Sequence, residues 1–190
     1  ARERTARWFA YTRQIVWPMI NSEIVSLGMV GLFTLSVAIV LGTAPLALTA
    51  AAMALVIFEN QADRERGASV RALIEIAFPW LIAQSAFGFF SWLALFYILL
   101  CAIIYRALLG LAATRQARWI KWSNLAHLAI ILALIAANAP IPAGVAALGL
   151  LAQILWQARY QLDRDGIAYA RRVQSYVMMT MLMIALALWL

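Results

Sequence analysis

Residues 85–105 read SAFGFFSWLALFYILLCAIIY, a stretch that contains no charged side chain. A helix needs about 20 apolar residues to cross the hydrocarbon core of a membrane. A spanning segment must also satisfy its own backbone hydrogen bonds, which a helix does. The stretch therefore predicts helix inside a membrane, and Gly88 in its first part predicts a turn.

The rest of the chain has the same character. Of the 190 residues, 66% are hydrophobic and 12% are charged, whereas soluble domains carry about 25% charged residues. Apolar runs recur along the whole chain and do not alternate with polar residues, which excludes a membrane β-barrel. These features predict an all-α, polytopic membrane helical bundle, with residues 1–190 forming a single integral membrane domain.

Charged and turn-forming residues divide the chain into about seven transmembrane helices. The predicted turns are LGTAP at 41–45, SAFGFFS at 85–91 and NAPIPAG at 138–144. The alternative to two spans within 73–106 is one long or broken helix. The predicted spans are 16–41, 44–59, 73–88, 90–106, 123–138, 142–158 and 173–190.

The basic residues predict how the chain is oriented. Lysine and arginine accumulate in cytoplasmic loops, and seven spans place all 15 of them on one side. Merging the spans within 73–106 would move 106–122 to the other side. We therefore expect a cytoplasmic N-terminus and a C-terminus outside or in the periplasm. The net charge of +7 favours anionic membrane lipids as partners and not nucleic acid.

Two segments carry a resemblance to a known family. ENQADRERG at 59–67 resembles the first signature of the UbiA superfamily of intramembrane prenyltransferases, N-D-x-x-D-R-x-x-D. LWQARYQLDRDGIAYARRVQS at 155–175 is similar to the segment that precedes the family's last helix, with a one-residue slip on either side of its LD pair.

The resemblance implies a metal site that has lost most of its ligands. Asp-rich motifs of the family hold Mg²⁺ against a prenyl diphosphate, and Mg²⁺ requires oxygen ligands. Glu59 stands where the family has Asn, Asn60 replaces the first Asp, Asp63 and Arg64 are retained, and Gly67 replaces the last Asp. No acidic residue lies between 75 and 163, so the family's second motif is missing. We expect no bound metal and a UbiA-like bundle lacking one hairpin.

The resemblance therefore favours a noncatalytic protein. We expect an accessory or scaffold subunit that associates with other membrane-protein subunits and that offers a cavity to a quinone, an isoprenoid or another lipid. One alternative is an active prenyltransferase that uses Mg²⁺ and a polyprenyl diphosphate. Another is a pigment-binding subunit of a photosynthetic complex.

Three polar residues inside predicted spans are candidate ligand contacts, because ionisable groups in a membrane mark functional sites. His127, the only histidine, could ligate a chlorophyll-type pigment or hydrogen-bond a neighbouring helix. Glu23 and Asn21 could face a cavity, and Glu23 could instead pair with a basic loop residue.

The retained Asp63 and Arg64 also predict a contact between two loops. The family folds its cytoplasmic loops over the mouth of its cavity. We therefore expect Asp63 to face Arg171 or Arg172, and Arg64 to face Asp163 or Asp165.

Overall fold

The computed structural model describes residues 17–59, 63–88, 90–114, 116–160 and 162–189, and these residues form helices and turns without a strand. Within these ranges the chain has seven helices, which confirms the all-helical class. Their bounds are α1 Trp17–Leu41, α2 Thr43–Glu59, α3 in three continuous stretches (Arg64–Ala72, the π-helical turn Leu73–Ala77 and Phe78–Ala86), α4 Trp92–Thr114, α5 Arg118–Ala136, α6 Pro140–Arg159 and α7 Leu162–Trp189.

The turns fall where glycine, asparagine and proline predict them. Gly42 and Gly88 have φ angles of +121° and +70°, a region that glycine enters without a steric penalty. Gly88 separates α3 from α4, so the segment 73–106 contains two helices rather than one broken helix. Asn138 has a φ of 57°, and Pro140 is the first residue of α6, a position that suits its fixed φ.

Several helices continue beyond the predicted spans at the ends where the basic residues lie. α3 begins at Arg64 rather than at 73, α4 ends at Thr114 rather than at 106, and α7 begins at Leu162 rather than at 173. The spans were predicted to end at the first charges. A helix can continue past them because long basic side chains reach water while their stems cover apolar surface.

α4 lies at the centre of the bundle. It packs against α3, α5 and α7, while α6 packs against both α5 and α7. α1 packs along α2, which in turn packs against α3. The main core belongs to α4–α7 and includes Tyr97, Ile104, Ile130, Leu134 and Ile184, each at most 1% exposed.

Three contacts bring the basic segments to one end of the bundle. Arg106 Nε of α4 donates to Ser69 Oγ of α3 at 2.6 Å, and its guanidinium lies 4.6 Å from the ring centre of Trp119 at the start of α5. A Cβ added at Gly166 of α7 would lie 3.2 Å from the carbonyl oxygen of Leu111 in α4, so the two helices are close there. The start of α3, the end of α4 and the starts of α5 and α7 are therefore neighbours, and we call this region the basic end.

Three helices in the described part of the chain, α4, α5 and α6, are long and apolar enough to cross a membrane, and Val25–Leu41 and Thr43–Glu59 form shorter apolar helices. This composition supports a membrane protein. The predicted number of crossings and their orientation stay predictions.

Candidate functional site

A cluster of polar side chains occupies the interior between α5, α6 and α7. His127 and Gln153 are fully buried, and Thr180 and Ser123 are nearly so. The two ring nitrogens of His127 contact two different helices: Nδ1 lies 3.2 Å from Gln153 Oε1, and Nε2 lies 2.9 Å from Thr180 Oγ1. Gln153 Nε2 donates to Ser123 Oγ at 2.8 Å. The cluster therefore joins all three helices through hydrogen bonds.

A second polar group continues this cluster along the same three helices. Asn124 and Gln157 exchange two hydrogen bonds through their amides, at 3.1 and 2.9 Å. Gln157 Nε2 also donates to the hydroxyl of the buried Tyr169, at 3.0 Å. We call the seven residues of the two groups the polar cluster: Ser123, Asn124, His127, Gln153, Gln157, Tyr169 and Thr180.

A small residue makes room for the centre of the cluster. A Cβ added at Gly149 would lie 3.2 Å from Thr180 Oγ1 and 3.8 Å from His127 Nε2. Small residues let helices approach closely in a membrane. Gly149 therefore lets α6 approach α5 and α7 closely enough for the three helices to share hydrogen bonds.

Sequence reasoning identified His127 but missed its partners, although a signal was present. In SNLAH, Ser123 and His127 are four residues apart, and in QILWQ, Gln153 and Gln157 have the same spacing. Residues four apart lie on one face of a helix. Two apolar helices that each carry a polar pair at this spacing are candidates for a hydrogen-bonded interface.

The geometry defines what His127 does in this structure. The single hydroxyl proton of Thr180 has two acceptors within reach, His127 Nε2 at 2.9 Å and the carbonyl oxygen of Tyr176 at 3.1 Å. With the His127 proton on Nδ1 and donated to Gln153 Oε1, Nε2 is the ring acceptor for this hydroxyl. This is the hydrogen bonding to neighbouring helices that the sequence offered as one alternative. The other alternative is that His127 ligates the metal of a pigment. This would require Nε2 to give up its contact with Thr180 Oγ1.

A second site surrounds the π-helical turn of α3. Glu75 accepts from Arg71 Nε at 2.6 Å and from the hydroxyl of Tyr105 on α4. The hydrogen bond and the charge of Glu75 raise the pKa of the Arg71 guanidinium. π-Helical turns are frequent at functional sites. Here the turn lies where a carboxylate joins α3 to α4 near the basic end.

The residues of the predicted diphosphate motif are spread over two helices. Glu59 is the last residue of α2, while Asp63 precedes α3 and Gly67 lies within it. A Cβ added at Gly67 would meet no atom within 4 Å, so this position faces open space. Asn60 lies outside the described residues, as does the side chain of Arg64.

Asp63 does not form the predicted contact between loops. Its side chain is 74% exposed and pairs with Arg66, one helical turn away, at 3.6 Å. Arg172, one of the predicted partners, instead lies over the ring of Trp156, 4.8 Å from its centre. Exposed ion pairs contribute only about 0–1 kcal/mol. This is too little to hold two separate segments together, whereas Arg66 is already within reach of Asp63. The predicted contact of Arg64 with Asp163 or Asp165 stays a prediction, because the side chains of Arg64 and Asp163 lie outside the described residues.

Glu23 and Asn21, the other candidate ligand contacts, are residues of α1. Their side chains are outside the described part of the structure. Among the described residues, no three His, Cys, Asp or Glu side chains lie close enough together to hold a metal ion.

Comparisons with family models, with curated proteins and with solved structures found no match for this chain. The resemblance to the UbiA superfamily therefore stays a prediction from the sequence.

Proposed function

We propose that this chain is a multi-pass integral membrane protein that acts as a noncatalytic accessory subunit of a larger membrane assembly. The observation that carries the proposal is the outer face of α1. Leu27, Phe33 and Val40 are 71%, 72% and 86% exposed, and α1 packs mainly along α2. Within 25–41, where its side chains are described, α1 therefore offers most of them to the surroundings of the bundle.

The surface of α1 suits a neighbouring helix as well as lipid. A Cβ added at Gly28 would meet no atom within 4 Å, so the backbone of α1 is uncovered there. Val25 and Leu32, which lie three residues before and four residues after Gly28, are also exposed. A glycine flanked by large apolar residues lets a second transmembrane helix come close and pack.

The interior of the bundle supports a role without catalysis. His127, Gln153 and Thr180 bind one another, and Glu75 is bound by Arg71 and Tyr105. These side chains hold helices together. The proposal includes a UbiA-like ancestry, which the sequence of residues 59–67 suggests. Such an ancestry fits a protein that kept its helical bundle after losing the acidic ligands of a metal site.

A photo-crosslinking amino acid at position 32 tests the proposed subunit contact. In native membranes, we expect it to give one protein adduct of fixed mass, because Leu32 lies beside the uncovered Gly28. The change Gly28→Leu should remove that adduct by blocking close approach. A crosslinker at position 151, which is exposed on α6, serves as the control and should label lipid.

Lipid adducts alone at position 32 would refute the subunit proposal. Purified protein that releases diphosphate from a polyprenyl diphosphate with Mg²⁺, and loses this activity on Asp63→Ala, would favour the prenyltransferase alternative. Asp63 is the retained acidic residue of the motif, so its loss would abolish metal binding there.

The proposed topology has its own test. Cysteines replacing Thr43 or Ile141 should react with an impermeant thiol reagent added outside the cell. Cysteines replacing Gln116 or Asp165 should react only after the membrane is opened, because they lie in segments that carry the basic residues. The native Cys101 is fully buried and provides the unreactive background. Labelling of position 116 from outside would contradict the orientation.

A further inference from the structure

A cavity of about 420 Å³ lies between α3, α4 and α7, away from the basic end. Its wall is mostly apolar and includes Trp80 of α3, Phe87 just after α3 and Leu188 of α7. Pockets that bind small molecules have volumes of about 300–1,000 Å³ and are lined mostly by apolar and aromatic side chains. The cavity therefore has the size and the surface of a ligand site.

Two polar side chains also line this cavity. The Oε1 atom of Gln84 is buried and accepts no hydrogen bond. An amide oxygen without a donor in an apolar setting costs about 1–3 kcal/mol. Gln84 lines the cavity, and the last torsion of a glutamine side chain has broad preferences, so this oxygen can adjust to a donor placed in the cavity.

The second polar side chain is that of Ser91, which lies just before α4. Its Oγ accepts a hydrogen bond from the backbone nitrogen of Ala94 at 3.0 Å. Because a hydroxyl is both a donor and an acceptor, the proton of Ser91 stays available to a ligand oxygen. The cavity thus combines an acceptor without a donor, Gln84 Oε1, with a hydroxyl that can donate, that of Ser91.

We propose that this cavity binds a neutral, lipid-soluble alcohol, whose hydroxyl donates to Gln84 and accepts from Ser91 while its apolar body lies against Trp80 and Phe87. A hydroxyl is the neutral group that supplies both functions at once. None of the described residues that line the cavity is charged, and an ionised ligand head would be costly to bury without a partner of opposite charge.

This inference rests on the proposed function only in placing the chain in a membrane, where lipid-soluble ligands are concentrated. It does not depend on the contact at α1. The crosslink at position 32 and the binding experiment below can therefore fail independently of each other.

The test uses the full chain purified in detergent and a dodecanol that carries a photoactivatable diazirine. We expect the label on residues that line the cavity within 79–94, as mapped by mass spectrometry. Unlabelled dodecanol and cholesterol are tested separately as competitors of this label. The one that competes better shows whether the cavity prefers a linear alcohol or a sterol. Dodecyl methyl ether is the matched competitor that cannot donate a hydrogen bond.

Two variants and one control define the result. Gln84→Leu, which keeps the side-chain volume, should weaken competition by the alcohol about tenfold, the effect of one to two lost hydrogen bonds, and should abolish its advantage over the ether. Ala185→Phe, which fills the cavity, should abolish labelling. Gln174→Leu, on an exposed part of α7, should change neither.

Equal competition by the alcohol and the ether in the native chain would overturn the proposal, since it would show apolar partitioning alone. Labelling that persists in Ala185→Phe would overturn it as well. Thermal unfolding of each variant in the same detergent separates a lost site from a lost fold.

Discussion

Gly110→Ala should destabilise the folded protein by about 1–3 kcal/mol, the usual effect of overfilling a close-packed interior. A Cβ at this position would lie 2.6 Å from Cε2 of Trp119, well inside van der Waals contact. Alanine favours a helix over glycine by about 1 kcal/mol. The steric effect must therefore exceed this gain for the variant to be less stable, and we expect that it does.

Trp119 cannot easily move away from the added methyl group. Its Nε1 donates to Thr114 Oγ1 at 3.0 Å, and the guanidinium groups of Arg106 and Arg118 lie 4.6 and 5.0 Å from its ring centre. The ring is 5% exposed. Any displacement would break these contacts, which hold α4 and α5 together at the basic end.

Thermal unfolding in detergent measures this effect, with Gly144→Ala as the matched control. A Cβ at Gly144 would meet no atom within 4 Å, so helix propensity alone predicts a neutral or stabilising change. If both alanine variants shift the melting temperature in the same direction and by the same amount, Trp119 does not rest on Gly110.

His127→Ala should also lower the stability markedly, because it removes the residue that links α5 to both α6 and α7. The change leaves Gln153 Oε1 without its present partner, whereas Thr180 Oγ1 keeps its hydrogen bond to the carbonyl oxygen of Tyr176 at 3.1 Å. Each buried polar group left unpaired costs about 1–3 kcal/mol, although interhelical hydrogen bonds in membranes average about 0.6 kcal/mol. We expect the lost hydrogen bonds to lower the stability by about 0.6–3 kcal/mol. The cavity left by the missing imidazole ring adds to this loss.

A double-mutant cycle separates the hydrogen bonds from the cavity. His127→Ala and Gln153→Leu should be non-additive, with a coupling of about 0.5–3 kcal/mol, as residues in one hydrogen-bond network show. His127→Ala combined with Gln174→Leu, on the exposed side of α7, should be additive. Additivity in both cycles would show that the polar cluster stabilises the protein by filling space and not through its hydrogen bonds.

The sequence alone determined the all-helical class of the protein and the positions of the turns that precede α2, α4 and α6. The apolar runs predicted helices, and Gly42, Gly88 and Asn138 lie in the turns between them. These signals are local, because a glycine or a proline limits or permits backbone angles at its own position whatever surrounds it. For the same reason, the separation of 73–106 into two helices could be predicted from the basic residues and the turn at Gly88.

Only the tertiary structure decided which side chains meet. His127 bonds Gln153 and Thr180, which are 26 and 53 residues away, and Asp63 pairs with Arg66 instead of with a distant loop. A helix that is apolar all round has no polar face to fix its rotation about its own axis. The close contacts of Gly110 and Gly149 fix that rotation, and such contacts exist only after the helices have packed.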